Sequence, residues 1–217
     1  MRNKFLRWFA LSGLLAAGSA SADGFGLGVK AGTLGVGIEG TFGLTERLNL
    51  RAGLNNYSLT QTETESGITY DADVDLKSVA LLVDFHPFAG TFRLTAGYVN
   101  SSNEARLRGT PTGNVEIGGS TFTPAQVGTL SGTISFKSGP YLGVGWGNAV
   151  AKNGRFGFTF EVGAVLQGKS DVTLASTGGT LSGNPTLETE LRQEEQNVKN
   201  ELPEIYPVVS LGFSYRF

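Results

Sequence analysis

The 217-residue chain contains no cysteine and a single histidine, and past its first two dozen residues it has no long apolar run. The missing cysteine excludes disulfide staples, and equally the lipid-modified cysteine that would start a lipoprotein. Without a run of about 18 apolar residues no helix of the remaining chain can cross a bilayer. A closed barrel still could, because its strands satisfy every backbone group between themselves and need only alternating segments. Strong positive charge is lacking too, with a formal net charge of −2, which argues against a nucleic-acid partner.

The amino-terminal segment has a basic start (Arg2, Lys4, Arg7), an apolar stretch from Trp8 to Ala17, and the small residues Ala20, Ser21 and Ala22 before Asp23. This pattern predicts a secretory signal peptide over 1–22, cleaved after Ala22. Removing 22 of 217 residues leaves 195, and the loss of three cations takes the charge from −2 to −5. Residues 23–217 show no linker or compositional break and are expected to form one domain.

The dominant signal in that domain is a period of two. Val209, Leu211, Phe213, Tyr215 and Phe217 alternate with Ser210, Gly212, Ser214 and Arg216, so one face of the last strand is apolar and the other is not. Phe156, Phe158, Phe160 and Val162 begin a second stripe; Ile134, Phe136, Pro140, Leu142, Val144 and Trp146 are read as a third. Five further stripes lie earlier in the chain, around Val29, Ile38, Leu50, Leu81 and Leu94. Eight strands follow. Their connections alternate: "LTER", "HPFAG" and "NAVAKNGR" are short, while 61–69, 109–132 and 168–203 are long. Aromatic residues collect at the short-turn ends, as barrels place them at membrane interfaces. The predicted fold is therefore all-β, an eight-stranded antiparallel up-and-down transmembrane barrel with long external loops.

Two stretches break the pattern. Tyr57 and Leu59 take the parity of Arg51, and Tyr70, Val74 and Leu76 take the parity opposite to Val79. A bulge, or strands continuing into water beyond the membrane, would account for either. In the last long connection Asn184-Pro185 reads as an N-cap and first-turn proline, and Leu187, Leu191, Val198 and Leu202 recur at helical spacing. A helix is expected from about Pro185 to Leu202, with its apolar stripe on the barrel rim and an acidic outer face.

Inward parity assigns Lys30, Glu39, Arg51, Asp84, Arg93, Glu161 and Arg216 to the lumen. An eight-stranded barrel is only just wide enough for side chains to fill it, and charges buried there must pair. The expectation is a salt-bridge network that closes most of the lumen; the alternative is a narrow path for ions or small solutes lined by the same residues. No catalytic residue is assigned: His86 stands in the short turn "DFHPF", away from the rim where a hydrolase or protease would need it. No metal or cofactor is expected, since Asp71, Asp73 and Asp75 do not have the spacing of a calcium loop and are read as solvated rim carboxylates.

Taken together the signal segment, the stripes, "PYLGVGWG" at 140–147 and the terminal "SLGFSYRF" resemble the small eight-stranded outer-membrane barrels, the class containing the OmpA membrane domain and OmpX. The resemblance implies a bacterial outer-membrane location with both termini periplasmic. It also implies that Phe213, Tyr215 and Phe217 form the signal read by the barrel assembly machinery. Expected partners are outer-membrane lipid and lipopolysaccharide, and an extracellular ligand held by the loops 61–69, 109–132 and 168–203. The class implies no single activity; a structural or surface-interaction role is expected.

Overall fold

The computed structural model describes residues 24–65, 68–152 and 154–217, with the side chains of 63–70 left aside. The expected signal peptide lies outside the described residues. The element order is β1 (Gly24–Gly32), β2 (Gly35–Thr45), β3 (Leu48–Glu65), β4 (Ile68–Phe85), β5 (Phe92–Ser101), β6 (Glu104–Gly109), β7 (Val115–Ile117), β8 (Ser120–Phe122), α1 (Pro124–Val127), β9 (Gly128–Ser135), β10 (Gly139–Trp146), β11 (Phe156–Leu166), β12 (Asp171–Gly178), α2 (Pro185–Glu201) and β13 (Ile205–Arg216).

Eight of these strands close into an antiparallel barrel in the order β1-β2-β3-β4-β5-β10-β11-β13. Closure is made by β1 against β13, from Gly26 opposite Arg216 to Gly32 opposite Ser210. The terminal Phe217 amide donates to the Phe25 carbonyl at 2.9 Å, so the last residue belongs to the wall. On the outside, Val29, Ile38, Leu81, Leu142 and Leu211 are all more than half exposed, which is the surface of a barrel solvated by lipid. An aromatic girdle rims the short-turn end. Phe25 stacks on Phe217, Trp146 stands against Phe92 and Phe160, and Phe156 against Tyr215.

The barrel wall continues past the membrane as a second sheet. Strands β3 and β4 are 18 residues each and stay in unbroken register from Leu48 opposite Phe85 to Glu65 opposite Ile68. Their outer halves carry a sheet in the order β3-β4-β6-β9-β12. Thus residues 61–65 and 68–69 of the expected long loop belong to the paired strands β3 and β4. The stripe read as one strand over Ile134–Trp146 is two: Ile134 belongs to β9 of the outer sheet, and β10 of the barrel begins only at Gly139.

Continuous register resolves the parity conflict on β3 and β4 without a bulge. Within the barrel the apolar residues of these strands, such as Leu54 and Val79, point outward. Beyond it Val74, Ala105, Leu107, Ile134, Val172 and Leu174 occupy the opposite face, that of lumen parity. Ser58, Thr60, Asp73, Asp75, Arg106 and Thr133 occupy the outward face. The backbone is the same; the solvent outside it changes from hydrocarbon to water, and the apolar face changes sides with it. Inversion falls at Asn55–Asn56 on β3 and Lys77–Ser78 on β4.

Where the wall forks, Asn103 is buried to 1% exposure. Its side-chain oxygen accepts from the Lys77 amide at 2.8 Å, and its carbonyl accepts from the Phe136 amide at 2.9 Å. One residue thereby satisfies the backbone of β4 where β5 leaves it and that of the chain returning to β10.

The inversion makes a measurable distinction between two outward positions. Val162→Arg, at mid-barrel between Val144 and Val209, should cost roughly 2 to 4 kcal/mol of unfolding free energy in lipid vesicles. Thr60→Arg, outward on β3 but beyond the inversion, should stay within about 0.5 kcal/mol of the parent. Urea titration followed by the heat-dependent gel shift of folded barrels measures both; equal costs would place the boundary wrongly.

Candidate functional site

The half of the lumen toward the short turns is lined by inward residues that are glycine, small polar or charged. Glu39 on β2, Arg51 on β3, Asp84 on β4, Arg93 on β5 and Glu161 on β11 are all buried at 5% exposure or less. Lys30 on β1 joins them through its ammonium, 3.2 Å from Glu39. Arg51 is the hub. Its guanidinium reaches Glu39 at 3.2 Å, Asp84 at 2.9 and 3.0 Å through two nitrogens, and Glu161 at 2.5 Å. Arg93 reaches Glu161 at 2.6 Å and the Gly147 carbonyl at 2.7 Å. Three cations meet three carboxylates, so the layer is neutral as a whole, and the bidentate Arg51–Asp84 contact fixes its geometry.

Arg216 is not a member. It sits at the short-turn mouth, half-buried, and donates to the Ala151 carbonyl at 2.8 Å. Phe213 and Phe217 face outward at 66% and 69% exposure, and Tyr215 stands between the rings of Phe156 and Phe217.

Toward the loop end the lumen turns apolar, which inward parity of charged residues did not anticipate. Leu34, Ala80, Leu82, Val99, Tyr141, Val165 and Val208 form a closed cluster, into which the first hairpin folds Leu34 at 7% exposure. Tyr141 joins the two layers, its hydroxyl donating to Glu161 at 2.6 Å. Gly143 and Gly163, cross-strand partners, leave the space its ring needs: a Cβ on Gly143 would lie 2.6 Å from the Tyr141 Oη. The voids left on either side of the Arg51 network are each about 10 Å³, about the room one water takes. A larger cavity of about 360 Å³ opens at the short-turn mouth, against Thr45, Asn49, Gly90, Asn148 and Lys152. Behind its wall residues Asn49 and Gly90 stands His86, 1% exposed and bonded to Asn49 at 3.1 Å and to the Gly90 carbonyl at 2.9 Å. It is a buried residue of the barrel mouth.

At the other end the outer sheet has its own core. Leu187 and Leu191 of α2 are buried with Ile117, Phe122 and Val127 beneath the β7–β8 hairpin, and Leu130 and Leu174 of the sheet pack against them. The helix runs from Pro185 to Glu201 behind an Asn184 cap that accepts from the Thr186 amide, close to the expected span. Its stripe does not rest on the barrel rim as expected; it covers the apolar face of the sheet. Polar contacts seal it to the edge strand β12: Glu195 accepts from the Leu174 amide at 2.7 Å and Lys199 pairs with Asp171 at 3.2 Å. Hydrogen bonds from Lys199 and then Lys137 hold the Asp171 carboxyl below the usual carboxylate range.

The three rim aspartates are engaged rather than bare. Asp71, Asp73 and Asp75 accept from Thr62, Thr60 and Ser58 across the hairpin at 2.6 to 2.8 Å. On the other side Arg106 reaches Asp75 at 2.9 Å. Among the described residues no group of three or more acidic or histidine side chains is placed to hold a metal ion; the side chains of Glu63 and Glu65 fall outside the description.

Because the lumenal layer balances three against three, neutralising one member leaves a buried charge unpaired. Glu161→Gln should destabilise the barrel by about 3 to 5 kcal/mol. Adding Arg93→Met should restore more than half of that loss, the sign of direct coupling. Additive losses in the urea titration would mean that the layer is not a connected network.

No protein-family model matches the chain, and comparison with curated proteins gives no sequence match. Solved structures that share its fold include two outer-membrane proteins of one organism. CarO2 of Acinetobacter baumannii superposes with a TM-score of 0.64 at 24% identity, over 90% of this chain and 99% of that one. CarO of the same organism gives 0.63 at 24%, over 88% and 97%. The likeness establishes the barrel with its long connections; it does not establish membership of the OmpA and OmpX class.

Proposed function

We propose that this is an integral protein of the bacterial outer membrane, with a closed lumen, that serves as a rigid mount for its outer sheet and helix. That module is the part that meets molecules outside the cell. The observation carrying the closed-lumen reading is the pair of stacked layers, one of paired charges around Arg51 and one of apolar side chains around Tyr141, with voids of only about 10 Å³ beside them. A hydrated ion needs a continuous wet path, and opening one would strip partners from six charges at once. The outer-membrane location is supported by the lipid-facing surface, the aromatic girdle and the fold shared with CarO. On this reading both termini are periplasmic and lipid and lipopolysaccharide surround the wall. The outward aromatic residues Phe213, Tyr215 and Phe217 are then what the assembly machinery reads. No catalytic role is assigned.

Planar-bilayer recording of the purified, folded protein tests this. The expected result is no stepwise conductance, and no flux of small solutes from loaded liposomes. Openings that change in size or ion preference on Glu39→Gln or Arg51→Gln would instead make the lumen a narrow channel lined by those residues.

A further inference from the structure

Between the apolar face of the outer sheet, the β7–β8 hairpin and α2 lies a cavity of about 310 Å³, within the size of small-ligand sites, roughly 300 to 1,000 Å³. Its walls are apolar: Leu107, Val115, Ile117, Leu130, Leu174 and Leu191. The hollow has a specific origin. Leu107, Gly132 and Leu174 are neighbours in one cross-strand row on β6, β9 and β12, and Gly132 leaves the middle of that row without a side chain. Gly132 has no unusual φ, and a Cβ there would meet only the tip of Leu174, at 3.1 Å. The backbone does not need glycine at this position; the cavity does.

The charges around the hollow are of one sign. Glu116 and Glu194 are the charged residues among those lining it. Both hydrogen bonds to Glu194, from the Gly118 amide and the Asn197 side chain at 3.3 Å, fall on its Oε2 oxygen. Nearby, Glu190 places its Oε2 out of reach of solvent beneath the Gly118 turn, with no hydrogen-bond partner among the described residues. Carboxylates beside apolar walls act through a low local dielectric, which strengthens their pull on a cation and repels an anion. We propose that this cavity binds a small organic cation, an aryl or short alkyl body ending in a protonated amine. The body fills the gap above Gly132 and the ammonium faces Glu194 and Glu116. This rests on the reading that the outer module is the working part of the protein, but not on the state of the lumen.

The test uses the full folded protein in lipid nanodiscs, with 4-fluorophenethylammonium as probe and 4-fluorophenylacetate as its anionic counterpart. Methyl resonances of Leu130, Leu174 and Leu191 should shift saturably with the cation. Gly132→Leu, which fills the hollow, should weaken binding by about tenfold or more, a loss of at least about 1.4 kcal/mol, while the heat-dependent gel shift reports that the barrel is folded. The double variant Glu116→Gln/Glu194→Gln should weaken the cation severalfold and leave the anion unchanged or improved. Equal binding of cation and anion, or undiminished binding to folded Gly132→Leu, would overturn the inference. A conducting lumen with intact cation binding would overturn only the closed-lumen reading; a silent lumen without saturable binding would overturn only this one.

Discussion

The constraint on which everything else depends is that backbone groups in hydrocarbon have no water to bond. The chain meets it by closing β1 against β13, and the closure extends to the last residue, whose amide is spent on Phe25. Once the wall is closed, side-chain chemistry on its two faces is free to follow the local solvent. That is why one uninterrupted pair of strands, β3 and β4, carries its apolar residues outward in the lower half and inward in the upper half. The wall has one geometry and two solvents, and the crossover at Asn55–Asn56 and Lys77–Ser78 is where they meet.

On the proposed reading, the same narrowness that makes an eight-stranded barrel easy to close makes its interior a core rather than a corridor. Six charged groups there would each be costly alone. Arg51 makes them tolerable by offering its planar fork to three carboxylates from three different strands, something a lysine ammonium could not do with the same directional control. Tyr141 then ends the polar layer, turning its hydroxyl to Glu161 and its ring to the apolar cluster above. Two glycines on neighbouring strands are the cost of that ring's position.

Most of the barrel was legible in the sequence because period-two stripes and the alternation of short and long connections are local signals. Inward parity grouped Glu39, Arg51, Asp84, Arg93 and Glu161 with Arg216; the structure gathers the first five around Arg51 and sets Arg216 at the mouth, since parity says nothing of which charges touch. The helix over 185–201 was legible for a similar reason, since an N-cap, a proline and leucines four apart are adjacent in the chain. What could not be read was the outer sheet. Its strands β6, β9 and β12 are short, separated by other elements, and have apolar residues on the face that barrel logic reserves for polar ones. Asn103, which ties the fork together, carries no sequence signal beyond being an asparagine after two serines. The inverted parity of Tyr57, Leu59, Val74 and Leu76 was the visible trace, and its meaning depends on where the membrane ends.

That fork decides what kind of surface the protein presents. Had the long connections been loops, any ligand would have to order them, at a cost of order 1 to 2 kcal/mol for each residue fixed. Here the outer module grows from β4 by continuous sheet hydrogen bonding, with β6 taking over from β5 as β4's partner. It is further fixed by Asn103 below and by Glu195 and Lys199 along the β12 edge. A cavity on such a base is already formed before anything enters it, so contacts made there are not spent on ordering the chain. Sealing β12 with the side chains of α2 has a second effect: it covers an edge that would otherwise offer unpaired backbone groups to other chains. The barrel supplies a rigid wall in lipid, the shared strands carry that rigidity into water, and the helix covers the β12 edge, one of the two edges of the extension.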